Sequence, residues 1–480
     1  MGGMLATRFI AVLVVPIITR ILPPGEYGLY LLGTRLLEIL ALVFHFGFIS
    51  SIVRFIAIYE GGGKRSYSNA AIMGTSIVSL ISISLFGLII LIKPDLISVV
   101  IFGRPEFSRL AQIIILALPL AVISQILLQA TVARGTVVYK ILSELSVNPV
   151  KLVIIFLLCH YMNLGAAGAV IAMFMYCLAR FLIAAIGVNR LFPGMKYAEI
   201  KYFEFKRVMS YSFPLLLSEV SVFAVYQISF LLGARWLSDA DLGLYGVAST
   251  MIYMGTMGYG SVTTMLRPTI ADLFNRNEKE RLKEIYITTV RWAYHASIMP
   301  LVFLSVKSNS VLQVFGDKYV GGSGIVAILA AGLGLNIIAG YGSSLLEMTN
   351  RPWLPTINNF IMTGVTVFLC ITLVPRYGML GMAISSSVAL FGIGVLAGIE
   401  AWIVHGLHPF SIKAVKPLAA VVFSSPVLLL HFDPWWLDVL ATGFIYLTGY
   451  VLINLVMGIE PDDRMVLKAV CSKLNFMKKH

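Results

Sequence analysis

The chain has 480 residues, 59% of them hydrophobic and 12% charged, with a mean hydropathy of +0.90. An ordinary soluble domain carries about a quarter charged residues, so this composition excludes a soluble globular protein. The net charge of +13 would suggest nucleic acid in a soluble chain, but in a membrane protein an excess of Lys and Arg in cytoplasmic loops is the simpler cause.

The apolar residues come in runs of about 17–25, each long enough as a helix to cross a hydrocarbon core of roughly 30 Å. In chain order, hydropathy predicts helices over 4–19, 29–53, 68–92, 110–133, 143–162, 164–189, 208–233, 242–266, 286–306, 322–348, 354–374, 378–404, 414–431 and 435–458. The first begins almost at Met1 without the charged n-region and cleavage site of a signal peptide, and is read as a retained span. With the N-terminus in the cytoplasm, the inner loops and tail hold 22 Lys and Arg and the outer loops 8. That asymmetry sets the orientation, with both termini cytoplasmic in the cell membrane, and leaves no need for a nucleic-acid partner. The cysteines Cys159, Cys177, Cys370 and Cys471 stand singly, which offers neither a disulfide framework nor a zinc site.

An outer loop repeats. "RILPPGEYGLY" (20–30) returns as "RWLSDADLGLY" (235–245), so that Arg20, Leu22, Gly28, Leu29 and Tyr30 recur 215 residues later. "GFISSIVR" (47–54) and "GYGSVTTMLR" (258–267) align Gly47 with Gly260 and Arg54 with Arg267 at an offset of 213. "NLGAAGAVIA" (163–172) and "RYGMLGMAIS" (376–385) align Gly165 and Gly168 with Gly378 and Gly381, again at 213. Three matches in order at nearly constant offset indicate an internal duplication. Six spans per copy is an even number, so both copies enter the membrane in the same direction, related by an axis along its normal. The expected fold class is an all-α polytopic membrane protein of about fourteen transmembrane helices. Its expected parts are a six-helix bundle over 1–190, a cytoplasmic linker over 191–207, a second bundle over 208–405, a further hairpin over 406–458 and a basic tail over 459–480. Span seven begins near 208, which puts the expected start of span one before Met1; either that helix is short or translation starts upstream.

No phosphate loop, HExxH or GxSxG motif is present, so no catalytic residue, metal or cofactor is expected. The informative residues are ionisable groups inside spans, since a charge at the bilayer centre costs at least about 2.5 kcal/mol. Arg35, Glu38 and His45 fall at i, i+3 and i+10 on one face of the second span. The equivalent span of the second copy carries an uncharged stripe of Ser249, Tyr253, Thr256, Gly260 and Thr263. Arg35 and Glu38 either neutralise each other between packed helices or line a basic, wet cavity. Arg8, Arg35, Arg54, Arg267 and Arg291 are the candidates for a cationic substrate cavity. For Arg291, Lys151 and Arg180, snorkelling toward an interface is the alternative, and for Arg54 and Arg267 a positive-inside anchor. Glu38, His45, Glu219 and Glu347 are the candidates for the cavity wall or for coupling to H+ or Na+; either glutamate of the last two also suits a structural partnership with an Arg. The small residues of 321–344 permit close helix approach.

The fourteen spans, the duplication and the loop closing on Gly28 and Tyr30 resemble the O-antigen and exopolysaccharide flippases. These are polysaccharide-biosynthesis members of the multidrug/oligosaccharidyl-lipid/polysaccharide exporter superfamily. "YSFPLLLSEV", "ARWLSDADLGLYGVAS" and "LVPRYGMLGMAISS" are similar to the same family, over essentially the whole chain. The resemblance implies a flippase, driven by an ion gradient or the membrane potential, for a sugar chain linked through phosphate or pyrophosphate to a polyprenol. It implies partners that are the polyprenyl-linked oligosaccharide, the bilayer and other glycan assembly enzymes. Members often have Asp where this chain has Gln227, which argues against carrying ion coupling over through that position. A cation-coupled multidrug antiporter would need free in-membrane acids in the first half, where Glu38 shares a face with Arg35. A membrane-embedded glycosyltransferase or polymerase would need a large outer loop with catalytic residues, and the outer loops here are short.

Overall fold

The computed structural model describes residues 14–408 and 412–458. Those residues form helices and turns, with no strand among them. Residues 14–21 are helical and lead into α1 (Pro24–Phe44), α2 (Phe48–Gly61), α3 (Arg65–Ile92), α4 (Ser108–Ala133), α5 (Val138–Phe156) and α6 (Gly165–Leu191). After a linker come α7 (Phe205–Gly233), α8 (Asp239–Gly255), α9 (Met257–Asn275), α10 (Lys279–Val306) and the short α11 (Ser308–Leu312). The chain continues with α12 (Ser323–Ile338), α13 (Gly342–Met348), the 53-residue α14 (Trp353–His405), α15 (Ile412–Ser424) and α16 (Trp435–Val456).

Nine helices among the described residues are long and apolar enough to cross a membrane, or ten if α10 is joined to the bent segment after it. The first expected run, 4–19, lies mostly outside the described residues, and helix breaks split or merge several of the others. The run over 29–53 is cut between α1 and α2, that over 242–266 between α8 and α9, and that over 322–348 between α12 and α13. Conversely, α14 covers two runs and breaks at Gly378, whose φ is 56°. Gly165, its counterpart in the first copy, has φ 51°. A left-handed residue costs an L side chain roughly 1 kcal/mol or more, so both copies keep glycine where the chain turns into the sixth span.

Packing divides the chain into two compact units. The first runs to Gly246 and includes Cys370–Met379; the second holds Val247–Leu369 and the chain from Leu380. In the first, α4 packs on α1, α2, α3 and α6, and its small residues Ala111, Ala117, Ala121 and Ala130 are buried. Helix α7 opens the second copy in sequence, yet it packs on α1 and α2 of the first unit. Outward, α3 exposes Leu85, Leu88, Ile89 and Ile92, the surface expected of a helix whose solvent is hydrocarbon. In the second unit α10 packs on α9, α12 and α15, with Tyr286, Arg291 and Tyr294 buried.

The repeated turns at 20–30 and 235–245 meet within the first unit. A Cβ on Gly28 would overlap the carbonyl oxygen of Asp239, and one on Gly243 would overlap that of Pro24. At an offset of 215, Gly28 corresponds to Gly243 and Pro24 to Asp239, so the contact is reciprocal, as a two-fold relation requires. Beside it Arg104 is buried, ion-paired with Asp239 and donating to the carbonyls of Ala234 and Leu237. That guanidinium satisfies carbonyls just past the end of α7, which no helix turn can reach.

Candidate functional site

Four candidate groups of the first unit lie along α1, at its end and on the facing α7: Arg35, Glu38, His45 and Glu219. Arg35 donates through Nη1 to Glu38 Oε2 at 2.7 Å along α1, an i,i+3 pair that neutralises the acid. The helix then ends: Phe46 and Gly47 take φ of 50° and 74°, and α2 restarts at Phe48. His45 is buried at this break, with the Gly47 N–H donated to its Nδ1 at 3.0 Å. In the neutral ring that bond fixes the proton on Nε2, which lies 3.5 Å from Glu219 Oε2 on α7. Ser50 donates to the other carboxylate oxygen at 2.8 Å.

Helix α7 is held there by its backbone. A Cβ on Gly47 would overlap the Ser212 carbonyl, and Ser212 Oγ donates to Ser51 Oγ at 2.7 Å. Ser212 and Glu219, two turns apart, therefore both face the break. One residue before Ser212, Tyr211 receives the Arg54 guanidinium over its ring, 4.3 Å from the centroid. Arg54 is exposed and has no acid partner among the described residues.

In the second unit, Arg267 on α9 is ion-paired with Glu347 on α13. Tyr341 donates from Oη to the Thr263 carbonyl at 3.0 Å. The chain breaks at Gly340, φ 107°, which separates Asn336 on α12 from Glu347 on α13; Asn336 donates to the Leu390 carbonyl at 2.5 Å. Arg291 is 1% exposed, in the interior of the unit. Arg8 and the tail 459–480 lie outside the described residues.

Of the sequence candidates, the structure thus joins Arg35 to Glu38, His45 to Glu219 and Arg267 to Glu347. It adds groups that sequence reading passed over: Ser50 and Tyr211, and the Lys307–Asp438 pair, 2.7 Å apart and buried, which ties α10's end to α16. Among the described residues no three His, Cys, Asp or Glu side chains gather as a metal site would require.

A family model described as polysaccharide biosynthesis protein matches residues 1–274. The chain belongs to the polysaccharide biosynthesis protein family. Within reach of this family member is the succinoglycan biosynthesis transport protein ExoT of Rhizobium meliloti (strain 1021), 23% identical over 346 residues. The match covers 69% of this chain and 64% of the relative, less than two thirds of its length. Among solved structures, the lipid II flippase MurJ in an inward closed conformation superposes with a TM-score of 0.76 at 17% identity, over 95% of this chain and 97% of that one. An inward-facing multidrug resistance MATE family transporter of the MOP superfamily gives 0.71 at 14% identity, over 82% and 94%. At these identities the likenesses show the fold. The family member is a multi-pass membrane protein with the helical architecture of MOP superfamily transporters.

Proposed function

We propose that the protein flips an oligosaccharide, joined through phosphate or pyrophosphate to a polyprenol, from the cytoplasmic to the outer leaflet of the cell membrane. The two six-helix copies, 1–190 and 208–405, alternate access to a cationic cavity, with the linker, the hairpin 406–458 and the tail outside it. The protein does no covalent chemistry of its own. Both termini lie in the cytoplasm, and other glycan assembly enzymes supply and consume the substrate.

The observation that carries this reading is the contrast between Glu38 and Arg54. The acid that a cation carrier would need is neutralised by Arg35, while Arg54 stands exposed, oriented by Tyr211 and without an acid partner among the described residues. An oriented guanidinium is suited to a phosphate oxygen pair. Arg35, Arg267 and Arg8 make up the rest of the cationic set, while Arg291, 1% exposed, stays in the interior of its unit. The ion-coupling role falls to His45 and Glu219, whose pairing across α1 and α7 changes with a bound H+ or Na+.

The test is binding in detergent of a polyprenyl-pyrophosphate oligosaccharide and, separately, of a cationic dye. The lipid-linked sugar binds the wild type and loses about tenfold in affinity in Arg54→Ala, the loss of one charge-assisted contact. Dye binding that the sugar cannot displace, with no effect of Arg54→Ala, contradicts the reading and favours the drug antiporter.

A further inference from the structure

One cavity of the second unit plays no part in that reading. It measures about 320 Å3 and opens where three chain segments converge: the turn from α9 into α10, the residues after α13, and the end of α14. Its polar side is ordered. His405 Nε2 is hydrogen-bonded to Thr349 Oγ1 at 2.7 Å, and its ring meets Phe274 edge-on with centroids 5.7 Å apart. Leu273, Leu282 and Leu407 form the apolar part of the wall.

Two cations stand at this cavity, Lys279 from the α10 side and Arg351 from the α13 side. Both are exposed, and neither has an ion pair among the described residues. The one acid in the wall, Glu278, lies 3.4 Å from Arg281. The cavity therefore offers two uncommitted positive charges beside an apolar floor. Its residues belong to loops that the basic-residue bias assigns to the cytoplasmic face, where anionic lipids concentrate.

We propose that this cavity binds the phosphate of an anionic phospholipid. Lys279 and Arg351 pair with the phosphate, and Leu273, Leu282 and Leu407 meet the glycerol and first acyl carbons. Free phosphate would satisfy the charges and leave the apolar wall wet, whereas a phospholipid satisfies both. Such a headgroup would clamp the α9–α10 turn to the ends of α13 and α14.

The experiment requires no transport assay, so its result is independent of the flippase reading. The full chain is exchanged into vesicles of phosphatidylcholine with or without phosphatidylglycerol, and lipids retained on it are counted by native mass spectrometry. The wild type retains phosphatidylglycerol in preference to phosphatidylcholine by about tenfold. Lys279→Ala/Arg351→Ala loses that preference, and so does Leu407→Trp, which fills the cavity without changing charge. Lys206→Ala/Lys283→Ala, which removes two charges outside the cavity, keeps it. Equal retention by wild type and Lys279→Ala/Arg351→Ala overturns the site, as does equal loss in both double variants. Displacement by glycerol 3-phosphate at concentrations matching the lipid overturns the lipid in favour of a free phosphate compound.

Discussion

Arg54 and Arg267 hold equivalent places in the two copies, 213 residues apart, and they have acquired different partners. Arg54 lies over Tyr211, exposed, while Arg267 is tied to Glu347. The two cations stand at matching places in the sequence repeat, but the partner is supplied by whichever helix packs against each: α7 for Arg54, α13 for Arg267. The repeated turns at 20–30 and 235–245 show the opposite. There each copy is the other's partner, Gly28 against Asp239 and Gly243 against Pro24, so a change in one is felt by both and the motif stays recognisable. Sequence symmetry survives where the copies touch each other and fades where each meets its own neighbours.

The largest effects should come from breaking the symmetric contact. Gly28→Leu and Gly243→Leu each place a side chain into backbone, beyond the 1–3 kcal/mol typical of overpacking, since the obstructing atoms are helix backbone and not flexible side chains. Both variants should lose the monodisperse peak in size-exclusion chromatography, and to the same degree. A normal profile for one alone would break the reciprocity. Next, Arg104→Ala strands Asp239 and two carbonyls and should cost about 3 kcal/mol in thermal unfolding in detergent. The exposed pair Arg276–Asp272 provides the contrast, since Arg276→Ala should cost at most about 0.5 kcal/mol.

Arg54 and Arg267 allow a finer test. Glu347→Gln should release Arg267 and make the second copy resemble the first, strengthening binding of a pyrophosphate-linked sugar several-fold; weaker binding would make the pair, and not the free cation, the functional form. Tyr211→Leu removes a cation–π contact of about 0.5–1 kcal/mol and should weaken the same binding two- to fivefold.

The smallest effect concerns the linker that separates the copies. Glu199 accepts from Asn69 Nδ2 at 2.8 Å and from the Lys196 N–H at 3.1 Å, and Glu204 accepts from Tyr59 at 2.6 Å and Arg207 at 2.8 Å. These donors, chiefly Asn69 for Glu199 and Tyr59 for Glu204, hold both carboxyls below the usual carboxylate range. A depressed folded-state pKa stabilises docking above the unfolded value, and that contribution is lost as pH falls through the folded value. Hydrogen exchange of residues 196–204 should thus be slow at neutral pH and, corrected for intrinsic rates, faster in acid below the normal range for Glu. Unchanged protection there would remove the carboxyls from the account of how the linker is held.

Much of this architecture was legible in the sequence. Hydropathy located the helical stretches because a membrane span must be apolar over its length, and the loop motif pointed to the two turns that meet at Gly28 and Gly243. The Arg35–Glu38 pair was legible as well, since i,i+3 neighbours meet by helix geometry alone. The breaks at Gly47 and Gly340 were not, because an averaged hydropathy passes smoothly over one or two residues of positive φ. Nor was the meeting of His45 with Glu219, which depends on α7 packing on the break, or the role of Arg104, which as an outer-loop cation weighed only in topology.

The central claim is tested most directly by translocation of a fluorescent polyprenyl-pyrophosphate oligosaccharide in proteoliposomes, with cationic dyes in parallel and Arg35→Ala and Arg54→Ala alongside the wild type. Lipid-linked sugar should cross with wild type, fall to the protein-free rate with either variant while both remain folded, and dyes should not cross. Dye transport without sugar transport, or full sugar transport by both variants, would contradict the assignment of a cationic cavity for a lipid-linked glycan.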